Sequence, residues 1–147
     1  MSLENNQESA IGIIGGSGVY KMDELTDVQE ISVDTPFGPP SDVLISGRLE
    51  GRRVIFLPRH GRQHHILPHE VNSRANMWAL KSAGVDWILG FTAVGSLKEE
   101  LKPRDVVIPD QYYDRTKARP GTFFGDGLVA HVSVADPYCS VLTDIVH

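Results

Sequence analysis

The chain has a single cysteine, Cys139, among 147 residues. It can close no internal disulfide, and one lone thiol fits a reducing compartment, so a cytoplasmic location is expected. Long apolar runs are also missing. The hydrophobic stretches are short, such as "IGII", "VIFL", "WILGF" and "DVVI", whereas a membrane-crossing helix needs ~20 residues, so no membrane partner is expected. Positive charge is not in excess either: the formal net charge is −5, which argues against a general nucleic-acid binder with its basic footprint over one face. No repeat, low-complexity tract or Pro/Gly/Ser linker divides the chain. The opening "MSLENNQESA" lacks the positive segment and apolar core of a secretory signal. Residues 1–9 are therefore expected to form a disordered leader and residues 10–147 a single α/β unit.

Against that acidic background, cations are concentrated in one stretch. Six of the nine arginines, Arg48, Arg52, Arg53, Arg59, Arg62 and Arg74, fall within 27 positions, with Glu50 and Glu70 as the only acids there. Four histidines, His60, His64, His65 and His69, share the segment "FLPRHGRQHHILPHEVNSRAN". A local electropositive patch on an acidic body suits a small anion. A metal site is not expected, because the histidines lie in a Pro-containing loop without the i,i+4 pair of H-E-x-x-H, and the cysteine is distant in sequence.

Three short apolar runs each end in a loop of small or polar residues: residues 11–14 lead into "GGSG", residues 54–57 into "PRHG" and residues 87–91 into "TAVGS". Buried strands followed by functional loops have this form, and ligands of α/β sheets bind outside the carboxyl ends of strands. Between the second and third runs, Val71, Ala75, Trp78, Ala79 and Ser82 recur at helical spacing after Pro68. This predicts a helix over 70–83 with Gly84 as its stop, joining two parallel strands. Strand, helix and strand in this order favour an α/β sandwich. The final "DPYCSVLTDIVH" reads as a helix start, with Asp136 as N-cap and Pro137 in the first turn.

The three loops can serve one ligand. Glycines of "GGSG" free backbone N–H groups and Ser17 adds a hydroxyl, although a tight turn after a strand would look the same. Neither a complete dinucleotide fingerprint nor a G-x-x-x-x-G-K-[ST] motif is present. Arg59 offers a planar fork to an oxyanion and His60 a neighbouring imidazole, although singly each is equally well a surface ion pair or an ordinary loop histidine. In "TAVGS", Thr92 and the amide of Ala93 can donate, while Ser96 with Glu99 also fits a capping box. Converging at one sheet edge, Ser17, Arg59, His60, Thr92 and the Ala93 amide would surround one dianion. On its residues alone, His131 reads as an ordinary strand histidine.

The motifs "IGIIGGSGVY", "LPRHGRQHHILPHEVNSRAN", "TAVGSL", "DVVIPDQYYDRT" and "HVSVADPYC", in this order, resemble the purine nucleoside phosphorylase superfamily in its 5'-methylthioadenosine phosphorylase branch. The resemblance runs from about Ala10 to the last residue. It implies a mixed β-sheet flanked by helices, a phosphorylase-like three-layer sandwich that is incomplete here. It implies phosphate-dependent cleavage of the N-glycosidic bond of 5'-methylthioadenosine, giving adenine and 5-methylthioribose 1-phosphate, with inorganic phosphate as co-substrate and no cofactor. By the same resemblance phosphate is held by Ser17, Arg59, His60, Thr92 and Ala93, the enzyme is a homotrimer, and His131 lines the 5'-substituent pocket of a neighbouring subunit. Val94 stands where many relatives carry cysteine. The chain is about half the family's length, so the leaving-group acid and the purine and ribose contacts are expected outside it. Alone it is expected to be catalytically incomplete: a truncation, a cleavage product, or a partner of a second chain carrying the C-terminal half.

Rival expectations come from the same residues. Histidine phosphatases also place "RHG" after a strand, with the histidine as nucleophile. A methylthioinosine or general purine nucleoside phosphorylase would share the phosphate loops. An anion-binding fragment without turnover is the non-enzymatic alternative.

Overall fold

The computed structural model describes residues 8–16 and 22–147. By their contacts these fall into two compact units, Met1–Ala93 and Val94–His147, where the sequence alone was read as one.

The first unit is built on a five-stranded mixed sheet. Its strands are β1 (Ala10–Gly15), β2 (Thr26–Ile31), β3 (Leu44–Leu49), β4 (Arg52–Pro58) and β5 (Val85–Gly90), with helix α1 (Ser73–Ser82) between the last two. The spatial order is β2-β3-β4-β1-β5. Strand β1 runs parallel to β4 on one side and β5 on the other, while β2, β3 and β4 pair antiparallel. The strands expected around residues 11–14, 54–57 and 87–91 are thus three parallel neighbours, joined from β4 to β5 by α1.

Alternation along the strands divides the apolar side chains between two faces. Ile14, Leu44, Ile55 and Leu57 cluster with Ala79 and Leu80 of α1, and with Ala83 and Val85 beyond it. Their neighbours Ile13, Ile45, Val54 and Phe56 form a separate cluster. A strand apolar on both faces reads as a continuous run, which is why "VIFL" is so compact a signal. Strand β2, "TDVQEI", is almost wholly exposed and lacks any such run.

Helix α1 starts later than its periodicity predicts. Asn72, not Pro68, sets the start: its Oδ1 accepts the Ala75 N–H at 3.2 Å, the side-chain bond of an N-cap. Residues 68–70 form a turn instead, and Glu70 Oε2 accepts the Leu67 N–H at 3.0 Å. The buried face is Ala75, Asn76, Ala79 and Leu80, so Trp78, expected on the apolar stripe, is 44% exposed. Gly84 takes φ +86° just beyond the end, the left-handed stop that glycine provides.

Two asparagines of this region hold the "DTPFGPPS" loop. Asn76, which is buried, accepts the Ser41 N–H at 2.8 Å and donates to Ser41 Oγ at 2.9 Å; Asn72 donates to the Phe37 carbonyl at 2.7 Å. The Arg74 guanidinium lies 5.0 Å from the Phe37 ring centroid. At the unit's beginning Glu8, within the expected leader, pairs with Arg48. That partner holds the Glu8 carboxyl below its ordinary range.

The second unit carries little regular structure: an isolated bridge between Gly125 and Leu128 and a short helix α2 (Ser140–Val146). The helix begins at Cys139 without a side-chain cap, later than the start at Asp136 and Pro137 that the sequence suggested. No helix follows "TAVGS". Ser96 Oγ instead accepts the Lys98 N–H at 3.0 Å in a local turn, so the N-cap role weighed for it is not realised. Asp114, bonded to Thr116 and beside Arg119, is held below the ordinary carboxylate range. Leu97, Val106, Val129, Val132 and Ile145 are exposed. Among the described residues no helix is long and apolar enough to cross a membrane.

Candidate anion-binding site

Parallel pairing on both sides of β1 brings the loop starts to one sheet edge. The Arg59 N–H donates to the Gly15 carbonyl at 3.0 Å, and the Phe91 N–H donates to the Ile14 carbonyl at 2.8 Å. The ladders therefore run one residue past β4 and β5, and set Arg59 and Thr92 on either side of the end of β1. Arg59 spans the gap: its Nη2 donates to Thr92 Oγ1 at 3.2 Å and its Nε to His60 Nε2 at 3.3 Å. Three of the residues expected to meet, Arg59, His60 and Thr92, are linked by hydrogen bonds although Arg59 and Thr92 are 33 positions apart. Ala93 follows in the same unit, and its N–H has no partner among the described residues. Ser17 lies outside the described residues. His131 belongs to the second unit, exposed and in irregular backbone rather than in the strand its pattern suggested.

The loop after β4 closes on itself. The Ile66 N–H donates to the His60 carbonyl at 3.2 Å, and His60 Nδ1 bonds the Ile66 carbonyl at 2.9 Å. The His64 ring sits 5.0 Å from the His60 ring, centroid to centroid. Gly61 is buried with φ +73°, and a Cβ there would lie 2.5 Å from Cε1 of His65. His65, exposed in the loop, thus lies against the glycine that turns it.

Gly61→Ala is expected to cost about 1–3 kcal/mol, the range for a side chain forced into the left-handed region, and the His65 contact pushes toward the upper end. Chemical denaturation of both chains measures it. A loss under about 0.5 kcal/mol would show that the loop relaxes freely.

Sequence reasoning missed Asp42. One of its carboxylate oxygens accepts the Arg62 backbone N–H at 2.7 Å, while the other accepts the Val43 N–H at 2.8 Å and forms an ion pair with Arg62 Nε at 3.3 Å. Arg62 also reaches Glu30 on β2, and the Glu30 hydrogen bond, with Asp42 beside it, raises the Arg62 guanidinium above its ordinary range. The loop bearing Arg59 and His60 is thereby tied to β2 and to the entry of β3. The only hint in the sequence is an acid between two apolar stretches.

These contacts divide the arginines of the basic stretch. Among the described residues, Arg48 is paired with Glu8 and Arg62 with Glu30 and Asp42, whereas Arg59, which donates to Thr92 and His60, meets no carboxylate. A cleft of about 490 Å³ elsewhere in the unit is lined by residues 32–35, 38–40, 42 and 43, including Asp34 and Asp42. Those carboxylates repel a dianion, and none of Arg59, His60 and Thr92 lines it. Among the described residues no three His, Cys, Asp or Glu side chains converge as metal ligands.

A mixed sheet whose parallel strand ends gather an arginine, a histidine and a threonine defines an α/β protein with a cluster of hydrogen-bonding side chains at one sheet edge. The chain belongs to the phosphorylase superfamily, whose family profile matches residues 10–147. Among its relatives, the S-methyl-5'-thioadenosine phosphorylase of Thermosynechococcus vestitus is 57% identical over 92% of this chain and 47% of its own length. A purine nucleoside phosphorylase of Streptomyces coelicolor is 53% identical, over 93% and 51%. The crystal structure of a methylthioadenosine phosphorylase from an antarctic soil metagenomic library superposes with TM-score 0.90 at 54% identity, covering 95% of this chain and 48% of that one. The chain spans about half the length of the curated relatives it matches.

Proposed function

We propose that the chain supplies the phosphate-binding half of a 5'-methylthioadenosine phosphorylase. The observation that carries this reading is the hydrogen-bonded line His60, Arg59, Thr92 across the ends of β4, β1 and β5. It provides a charged fork, an imidazole and a hydroxyl, with the Ala93 amide adjacent; Ser17 is assigned to the set by the family resemblance alone. A hydrogen bond to a charged group contributes about 1.5–3 kcal/mol, so a few converging donors hold a dianion.

In the reaction, phosphate attacks the anomeric carbon as the purine leaves through an oxocarbenium-like transition state. The protein has to fix the nucleophile in line with the leaving group and keep water out. No organic cofactor or metal enters this scheme. The acid that protonates the purine, and the groups that read base and ribose, are assigned to the half of the relatives that this chain does not span. His131 is assigned to the 5'-substituent pocket of a neighbouring subunit in a homotrimer. The exposed apolar residues of the second unit, Leu97 and Val106 among them, support this assembly, since such surfaces bury against further chain.

The Streptomyces relative favours a second reading, in which the substrate is another purine nucleoside. The bond from His60 Nδ1 to a carbonyl would equally suit a nucleophilic Nε2, as in a phosphatase; family membership, not this bond, sets that alternative aside.

Purified alone, the chain should bind phosphate by calorimetry yet release no adenine from 5'-methylthioadenosine. Adding a polypeptide that spans the remaining half of a relative should restore release. Adenine production by the chain alone would refute its incompleteness, and absence of phosphate binding would refute the site.

A further inference from the structure

We propose that anion binding at this site is coupled to the uptake of one proton at Nε2 of His60. The inference rests on reading Arg59, His60 and Thr92 as the anion site, and goes beyond it by naming the protonation state that the site needs. The Ile66 carbonyl oxygen 2.9 Å from His60 Nδ1 can only accept, so Nδ1 carries a hydrogen. A neutral imidazole has one N–H, which leaves Nε2 bare. That nitrogen faces Arg59 Nε at 3.3 Å and accepts its hydrogen. In this arrangement His60 has no donor for an oxyanion, and the Nε prong of Arg59 is turned toward the ring.

A dianion reverses both roles. Its oxygens attract the Arg59 N–H groups more strongly than a neutral nitrogen does, because opposite charges add a Coulomb attraction that the imidazole nitrogen lacks. Once Arg59 turns to the anion, Nε2 has lost its donor and lies beside negative charge. One proton from solvent makes Nε2 a donor to the anion while Nδ1 keeps the Ile66 carbonyl, and both N–H groups of the imidazolium are then satisfied. No covalent bond other than this N–H forms or breaks. Among the described residues, the charged or titratable groups beside His60 are Arg59 and, in the loop, His64 with its ring centroid at 5.0 Å; from the end of β5 comes the uncharged Thr92, reached through Arg59.

Sulfate is the probe, since it stays doubly charged over the range used. By calorimetry on the whole chain, its association constant should be larger at pH 6 than at pH 8, by no more than about tenfold per pH unit, the limit for uptake of one proton. His60→Gln, whose amide donates without titrating, should bind with a flat profile, and His64→Asn should retain the slope. Nitrogen chemical shifts of His60 should show Nε2 unprotonated in the free chain at pH 8 and protonated in the sulfate complex. A flat wild-type profile with binding still dependent on Arg59, or a slope that survives in His60→Gln, overturns the proton coupling and leaves the anion site standing. Sulfate binding unaffected by Arg59→Ala, or no sulfate or phosphate binding at any pH, overturns both.

Discussion

Replacing Arg59 with alanine should weaken phosphate binding by about 10- to 150-fold. One hydrogen bond to a charged group contributes about 1.5–3 kcal/mol, and 1.4 kcal/mol is tenfold in affinity. The loss is expected to be this large because Arg59 is the arginine of the basic stretch that reaches across the strand ends to Thr92 and, among the described residues, meets no carboxylate. Arg59→Lys should fall between, since it keeps the charge and loses the fork. His64→Ala should change affinity by no more than about twofold, the effect of a surface substitution. Calorimetric titration with phosphate at one pH and ionic strength measures all three. Equal losses in Arg59→Ala and His64→Ala would place the anion in another part of the loop.

Phe56→Ala should cost about 3–5 kcal/mol, the usual range for truncating a fully buried aromatic. Phe56 is 1% exposed and lies in register with Ile13 of β1 on one side and Ile45 of β3 on the other, so no neighbour can close the cavity without moving a strand. Domains are stable by only about 5–15 kcal/mol, so the variant is expected to unfold at markedly lower denaturant. Phe56→Leu, which keeps more of the volume, should cost much less and remain folded at low denaturant. Arg59 lies three positions along the same strand and loop, and the Leu variant should retain phosphate binding. A cost under about 1 kcal/mol for the alanine variant would mean that this face of the sheet is not packed as described.

What was legible in advance follows from how locally each signal is encoded. Strands β1 and β4 are short runs apolar on both faces, and such a run declares itself within a few residues. β5 declared itself through "WILGF", although Trp87 and Ile88 are partly exposed at the sheet edge. Arg59 and His60 stood out because a fork and an imidazole directly follow a buried strand. Strand β2 was hidden because its residues face solvent and owe their conformation to pairing with β3. The start of α1 was misplaced because a single cap, Asn72 to Ala75, outweighs the periodic residues preceding it. The capping reading of Ser96 is not realised because its hydroxyl closes a local turn, and Asp136 with Pro137 is passed over for a start at Cys139.

The amino-acid sequence by itself determined that this is an α/β chain with three strand-to-loop junctions rich in donors, that its cations are clustered, and that it is related to the nucleoside phosphorylases. The first two are properties of short segments that composition and periodicity record directly, while the relationship is a resemblance carried by motifs in their order. The tertiary structure decided which donors meet. Parallel pairing of β4 and β5 on either side of β1 places Arg59 against Thr92. Asp42, just before β3, holds the loop, and the Ile66 carbonyl meets Nδ1 of His60. Each of these is a contact between groups distant in sequence or a backbone bond made only on folding, so no pattern of neighbours along the chain could have specified it.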